Sequence, residues 1–184
     1  MNLNTIRELF LSSVFFSTIH LSCVSQPVKY PTVDSVDIER YMGDWYVQGH
    51  TPMFFDKDST DQVESYKLQA DGSIKTHYYF KRDGKTYNYH PHATVYDKVT
   101  KAHWKMQFLW PFTSDFLIVR LDPDYKHTVV SVPDKKQIWV MSRTPQMTES
   151  LYQEIVDNLA RDNYQVSLIR RVPQGDTKPL PKSP

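Results

Sequence analysis

Asp37-Ile38-Glu39-Arg40-Tyr41 is followed, across Met42, by Gly43-Asp44-Trp45-Tyr46. The first five residues read as a short helical turn, and the next four open a strand expected over 44–50. Working outward, the chain becomes a series of short strand-like runs separated by turn signals. Further strands are expected at 62–69, 73–82, 86–97, 103–110, 115–121, 127–132 and 137–142. The turns between them are Ala70-Asp71-Gly72, Arg82-Asp83-Gly84, Asp97 to Lys101, Asp122-Pro123-Asp124 and Pro133-Asp134-Lys135. Aspartate-glycine pairs between strand runs are strong hairpin signals, because both central residues of such turns need positive φ. Eight strands joined by short turns favour an all-β, antiparallel up-and-down meander. Closing that meander into a barrel removes its exposed edges.

One helix follows the last strand. Leu151, Ile155 and Leu159 stand four apart, with Tyr152 and Val156 beside them, so one apolar stripe forms. Thr148 suits the N-cap, Glu149 the first turn and Arg161 the last. The stripe predicts a helix packed on the outside of the barrel. A short closing strand is expected at 166–170.

Three segments in order resemble the lipocalin family. They are Gly43-Asp44-Trp45-Tyr46, the turn Leu121-Asp122-Pro123-Asp124-Tyr125, and Trp139-Val140-Met141-Ser142-Arg143-Thr144-Pro145. Within that family the bacterial outer-membrane lipoproteins and apolipoprotein D are the nearest likeness, carried by the last run and by Met106-Gln107-Phe108-Leu109-Trp110-Pro111-Phe112. The resemblance covers residues 34–172 and implies an eight-stranded barrel whose structural motif residues are Gly43, Trp45, Asp122, Tyr125 and Arg143. It implies that Trp45 plugs one end of the barrel with Arg143 lying across its indole face. One departure is that Val47 and Gln48 stand where near relatives carry an acidic and then an aliphatic residue.

The resemblance also fixes which face points inward, since Tyr66, Tyr78 and Trp139 match interior positions. Residues two apart on a strand share a face. Stepping by two adds Leu68, Thr76, Phe80, Trp104, Met106, Phe108, Phe116, Ile118 and Val129 as ligand-binding candidates. Such a lining is apolar and aromatic, with a few hydroxyls, and suits an acyl chain. It equally suits a filled core. The resemblance implies that the loop Thr51-Pro52-Met53-Phe54-Phe55 covers the mouth. Aromatics there and at Trp110-Pro111-Phe112 would gate the ligand, touch a membrane surface or anchor the loops.

The expected function is binding, storage or transport of a small hydrophobic ligand, such as a fatty acid or lysophospholipid, in a bacterial cell envelope. The alternatives are an enzyme acting on a bound lipid, or a haem or pigment carrier. Glu64 has the parity of Tyr66 and is the candidate acid for the first alternative. Neither a Gly-x-Ser-x-Gly nucleophile motif nor a His-Glu-x-x-His zinc motif is present. His90-Pro91-His92 is the most metal-like element, needing His50, His77 or Asp56 as a third ligand. No metal, no cofactor and no catalytic residue is assigned.

Composition agrees. The 184 residues carry a net charge of +1, so no basic field suggests nucleic acid, and the 12 Tyr and 14% aromatics favour strands. Arg7 precedes the apolar run Leu9 to Ile19, which has the length of a signal-peptide core and is too short to span a bilayer. Residues 1–25 are therefore expected to be a signal peptide. Leu21-Ser22-Cys23 resembles a lipoprotein cleavage box, with His20 where a leucine is usual. Cleavage there would leave Cys23 lipidated and anchored to the outer membrane on its periplasmic side. Ordinary cleavage after Ser25 would leave a periplasmic or secreted protein. A Pro-rich disordered tail is expected at 173–184, and the protein is expected to be a monomer or homodimer.

Overall fold

The computed structural model describes residues 30–175. The expected signal segment, Cys23 and the end of the Pro-rich tail lie outside those residues. The strands are β1 (Gly43–His50), β2 (Thr60–Leu68), β3 (Ser73–Arg82), β4 (Lys85–Tyr89), β5 (His92–Val95), β6 (His103–Leu109), β7 (Phe112–Leu121), β8 (His127–Ser131), β9 (Ile138–Ser142) and β10 (Arg170–Arg171). Two helices accompany them, α1 (Ile38–Tyr41) and α2 (Glu149–Arg161). Every pairing is antiparallel, and β1 pairs with β9 from Tyr46↔Ser142 to His50↔Trp139, which closes an eight-stranded barrel. β4 and β10 are the two extra strands.

The strand expected at 86–97 is broken into β4 and β5. Pro91 sits at the break, where its missing N–H cannot serve a ladder. Its carbonyl accepts from Thr76 N at 3.1 Å. The long β3 therefore pairs with β4 near the Asp83-Gly84 turn and with β5 at its other end. Asp83 and Gly84 have φ of 51° and 71°, the double positive-φ turn that the sequence signalled.

Two apolar layers form, one on each side of the wall. Inside lie Trp45, Val47, Trp104, Phe116, Ile118 and Val130, among others. Outside, Leu117, Val119, Val129, Ile138 and Val140 meet Tyr152, Ile155 and Leu159 of α2. Thr148 caps α2, its hydroxyl accepting from Leu151 N at 3.4 Å. The helix lies so close that a Cβ added to Gly49 would collide with the Tyr152 hydroxyl.

This layering corrects two candidates. Val129 faces α2, and its neighbour Val130 faces the interior. β8 is buried on both faces, so hydrophobic alternation cannot set its phase. A register shift between Ile118 and Arg120 also interrupts stepping along β7 and β8. Leu68 keeps the parity of Tyr66 but lies past the floor of the barrel. It is 37% exposed and borders a surface groove with Val36, Ile38 and Val95.

The closed end is sealed as the resemblance implied. Trp45 is fully buried, and its Nε1 donates to the Tyr41 carbonyl at 2.9 Å. The Arg143 guanidinium carbon stands 3.8 Å from the Trp45 ring centroid. Its two terminal nitrogens donate to the carbonyls of Asp44 (2.9 Å) and Arg40 (2.7 Å). Gly43 has φ of 91°, with Arg143 Nη1 3.5 Å from where a Cβ would be, so glycine relieves backbone strain there. Asp122 accepts from the backbone of Asp124 and Lys126, holding Tyr125 at φ 60°. The Tyr125 hydroxyl then accepts from Asp37 N at 2.8 Å, where α1 begins.

The C-terminal segment repairs a split in the wall. β1 and β2 pair only from Gly43↔Tyr66 to Tyr46↔Val63. Beyond that, β10 takes the free edge of β1, and Gln174 Nε2 donates to Val47 O (2.7 Å) and Gln62 O (3.0 Å). Gly175 N donates to Asp61 Oδ1 at 2.7 Å. The fold thus extends past the expected boundary at 172, and Pro173 to Gly175 belong to it. Residues 166–170, expected as a strand, begin instead with a 3₁₀ turn at Val166–Leu168.

Replacing Arg143 with Met removes the cation–π contact and leaves three carbonyls, of Arg40, Asp44 and Tyr125, without their donor. We expect Arg143→Met to lower unfolding stability by about 3 kcal/mol, read from urea denaturation. Arg143→Lys should restore little of it, since a lysine cannot fork to these carbonyls.

Candidate functional site

Above the Trp45 floor the barrel interior is not completely filled. A cavity of about 120 Å³ lies among Met53, Glu64, Thr76, Tyr78, Met106, Phe108, Phe116 and Trp139, with Pro91, Ser114, Asp115, Val132 and Gln137 completing the wall. Pockets for drug-sized ligands occupy roughly 300–1,000 Å³. This one therefore admits only something slender.

Six of the expected residues line the cavity: Thr76, Tyr78, Met106, Phe108, Phe116 and Trp139. Tyr66, Trp104 and Ile118 lie beneath it in the packed floor. There the Trp104 and Phe116 rings stack with centroids 5.1 Å apart and Tyr66 meets both edge-on. Phe80 is fully buried to one side, stacked between Tyr87 and Tyr89 of the β3–β4 hairpin. Leu68 and Val129 are outside, as described. Ser114 has the parity of Phe116, so one more step by two along β7 would have found it. Gln137 is one step by two from Trp139 and was legible in the same way, whereas Val132 shares the parity of Val130 and was hidden by the wrong phase on β8.

The mouth loop is held by polar contacts. Asp56 is fully buried and accepts from Met53 N (2.7 Å) and from the Tyr78 hydroxyl (3.0 Å). Arg82 donates to the Phe55 carbonyl at 2.6 Å. Gln62 Nε2 donates to Ser59 Oγ (2.7 Å) and to His50 Nε2 (2.9 Å), which leaves His50 Nδ1 turned to Asp56 Oδ2 at 3.6 Å. The loop places Met53 over the cavity, as expected of a cover. Phe54, Trp110 and Phe112 are instead 93%, 80% and 72% exposed, so they do not pack as loop anchors.

Glu64 is the buried carboxyl in this lining. Its parity is inward, and the Tyr66 hydroxyl donates to it. Burial pushes its pKa up from 4.5 to about 7, opposed by the Tyr66 hydrogen bond and reinforced by nearby Asp56. Burial pulls His50 the other way, from 6.5 to about 4, so it is neutral near pH 7. Asp115 also touches the cavity, but its carboxylate accepts from His103 and Lys105, both at 2.5 Å.

His77 stacks on His90 with centroids 4.6 Å apart, on the outer face. No group of three potential ligands converges among the described residues. No helix among them is long and apolar enough to cross a membrane.

Comparison with known proteins agrees with this geometry. A family model described as a lipocalin-like domain matches residues 36–174. Temperature-induced lipocalin-1 of Arabidopsis thaliana is 32% identical over 171 residues, covering 85% of this chain and 89% of that protein. The outer membrane lipoprotein Blc of Escherichia coli is 27% identical over 154 residues, covering 83% and 87%. Among solved structures, insecticyanin from the tobacco hornworm Manduca sexta matches with a TM-score of 0.63 at 18% identity, covering 82% and 86%.

The Glu64 proton has a measurable consequence. The folded protein keeps it up to about pH 7, while the unfolded chain releases it near pH 4.5. Stability from this group is thus lost as pH rises through that window. Glu64→Gln has no proton to lose. Relative to the parent, it should gain roughly 2–4 kcal/mol of stability between pH 4.5 and about 7.5 in denaturation experiments. His50 is common to both proteins and cancels in the comparison.

Proposed function

The chain belongs to the lipocalin family, whose members bind small hydrophobic ligands, and from that premise we propose that it binds and carries a single-chain amphiphile, such as a fatty acid or lysophospholipid, in a bacterial cell envelope. The observation that carries this reading is the cavity itself. It is sealed below by Trp45 and Arg143, walled by Met106, Phe108, Phe116 and Trp139, and covered by Met53. Its small volume favours an extended chain, which fills a narrow space with continuous apolar contact.

The mouth supports exchange with a lipid surface. Phe54, Trp110 and Phe112 stand exposed on the loops that flank the opening, and aromatic side chains at that depth insert readily into a headgroup layer. Likeness to the outer membrane lipoprotein Blc supports an outer-membrane location for this chain, with Cys23 as the lipidated residue. Two or more acyl chains on Cys23 would anchor it stably.

Native mass spectrometry of the protein purified without detergent should show a lipid adduct of one acyl chain. Met106→Trp, which fills the space beside Thr76 and Phe116, should remove the adduct while the barrel still unfolds cooperatively. A protein that carries no adduct and takes up no fluorescent fatty acid would overturn the proposal. Separately, Cys23→Ser should abolish the acyl mass increment and release the protein from the membrane fraction.

A further inference from the structure

The cavity is apolar in area but one-sided in its polar chemistry. Glu64 is 7% exposed and lines the cavity next to its floor, against Tyr66. The Tyr66 hydroxyl satisfies one carboxyl oxygen, and no second donor reaches the carboxyl among the described residues. Gln137, in the β8–β9 turn at the mouth end, also has its side-chain carbonyl oxygen buried with no donor. Apart from the Ser114 hydroxyl and the Trp139 indole N–H, which lie toward the mouth, the remaining polar groups are already committed. The Tyr78 hydroxyl donates to Asp56, the Thr76 hydroxyl points at Met106 Sδ, and Asp115 is shared by His103 and Lys105. No lysine, arginine or histidine lines the cavity.

Once Glu64 is ionised, above about pH 7, an unmet acceptor without a cation is a poor home for an anion. A carboxylate head driven to the inner end would face Glu64 and, beyond it, Asp56, with no positive charge to offset either. An alkyl terminus there would leave the ionised Glu64 carboxyl desolvated and short of a donor. A primary ammonium has three donors and the opposite charge. It can satisfy Glu64 and pair with it in a medium of low dielectric.

We propose that the inner end of the cavity, through Glu64, selects an aliphatic chain whose terminus is a primary ammonium, in preference to one ending in a carboxylate. This deepens the ligand-carrier reading and rests on it. A long-chain amine enters head first and docks on Glu64. A fatty acid or lysophospholipid lies the other way, with its anionic head at the mouth. A hydroxyl terminus falls between the two, since it donates one hydrogen bond and brings no charge.

Calorimetric titration of the full chain at about pH 8, where Glu64 is ionised, tests this with decylamine, 1-decanol and decanoate. Decylamine should bind about tenfold more tightly than decanoate, the size of one charge-assisted hydrogen bond. Affinities are then expressed relative to 1-decanol for each protein. In Glu64→Gln the amine's advantage over decanol should vanish, while decanoate should approach decanol. Decanoate binding the parent as tightly as decylamine would overturn the proposal, as would an amine preference that survives Glu64→Gln. In either case bound decanol leaves the carrier reading standing. Failure of all three decyl compounds to bind would overturn the carrier reading, and this proposal with it.

Discussion

A sheet rolled into a barrel has no edges but two open ends, and a barrel that stores an apolar ligand needs one of them sealed without exposing polar backbone. Here a single stacked pair does both. The Arg143 guanidinium covers the Trp45 indole while its nitrogens satisfy carbonyls of Arg40 and Asp44. Trp45 in turn donates to Tyr41 at the end of α1. The two residues come from the first and last staves, so the contact that seals the floor also reinforces the β1–β9 pairing that closes the sheet. The positive φ of Gly43 and the Tyr125 turn follow from fitting backbone around that arginine.

Closure then divides every strand into an inner and an outer side, which explains how far the sequence could be read. Motifs that close the floor are local and chemically distinctive, so Trp45, Arg143 and the Asp122–Tyr125 turn were all legible. Tyr66, Tyr78 and Trp139 followed because the family resemblance set the inward face. Parity failed at three places for separate reasons. β8 is buried on both sides, so Val129 and Val130 look alike in sequence. β2 outruns the floor, so Leu68 keeps its parity but leaves the interior. The strand expected at 86–97 is divided at Pro91, which was visible as a proline but not as a break. The strap from Arg170 to Gly175 carries only one buried apolar side chain, Val172, and no alternation. It is placed by backbone bonds and by the Gln174 amide bridging two separated strands.

The interior is also where electrostatic cost concentrates. Three titratable groups lie buried, His50 and Asp56 near the mouth and Glu64 next to the floor of the cavity. Desolvation pushes each toward its neutral form, lowering His50 and raising Asp56 and Glu64. His50 penalises the fold as pH falls toward about 4, and Glu64 penalises it as pH rises toward about 7. The opposed slopes flatten the dependence on pH across the mildly acidic range. Neither group adds stability to the barrel.

The two ends of the barrel are therefore held by different physics. Below, stacked rings and a buried guanidinium would lose their contacts outright on opening, because water supplies no equivalent of a packed indole. Above, the mouth loop is fixed by Asp56 accepting from Met53 and Tyr78, and by Arg82 on the Phe55 carbonyl. Water can replace each of those bonds, and lifting the loop returns the Asp56 carboxyl to solvent. Opening at the top thus trades protein hydrogen bonds for hydration at small net cost, while opening at the bottom forfeits packing with nothing in exchange. A cavity of about 120 Å³ is narrower than most amphiphiles require. Widening is cheapest in the direction where the contacts are replaceable, past Met53 and Phe108, and the floor stays shut.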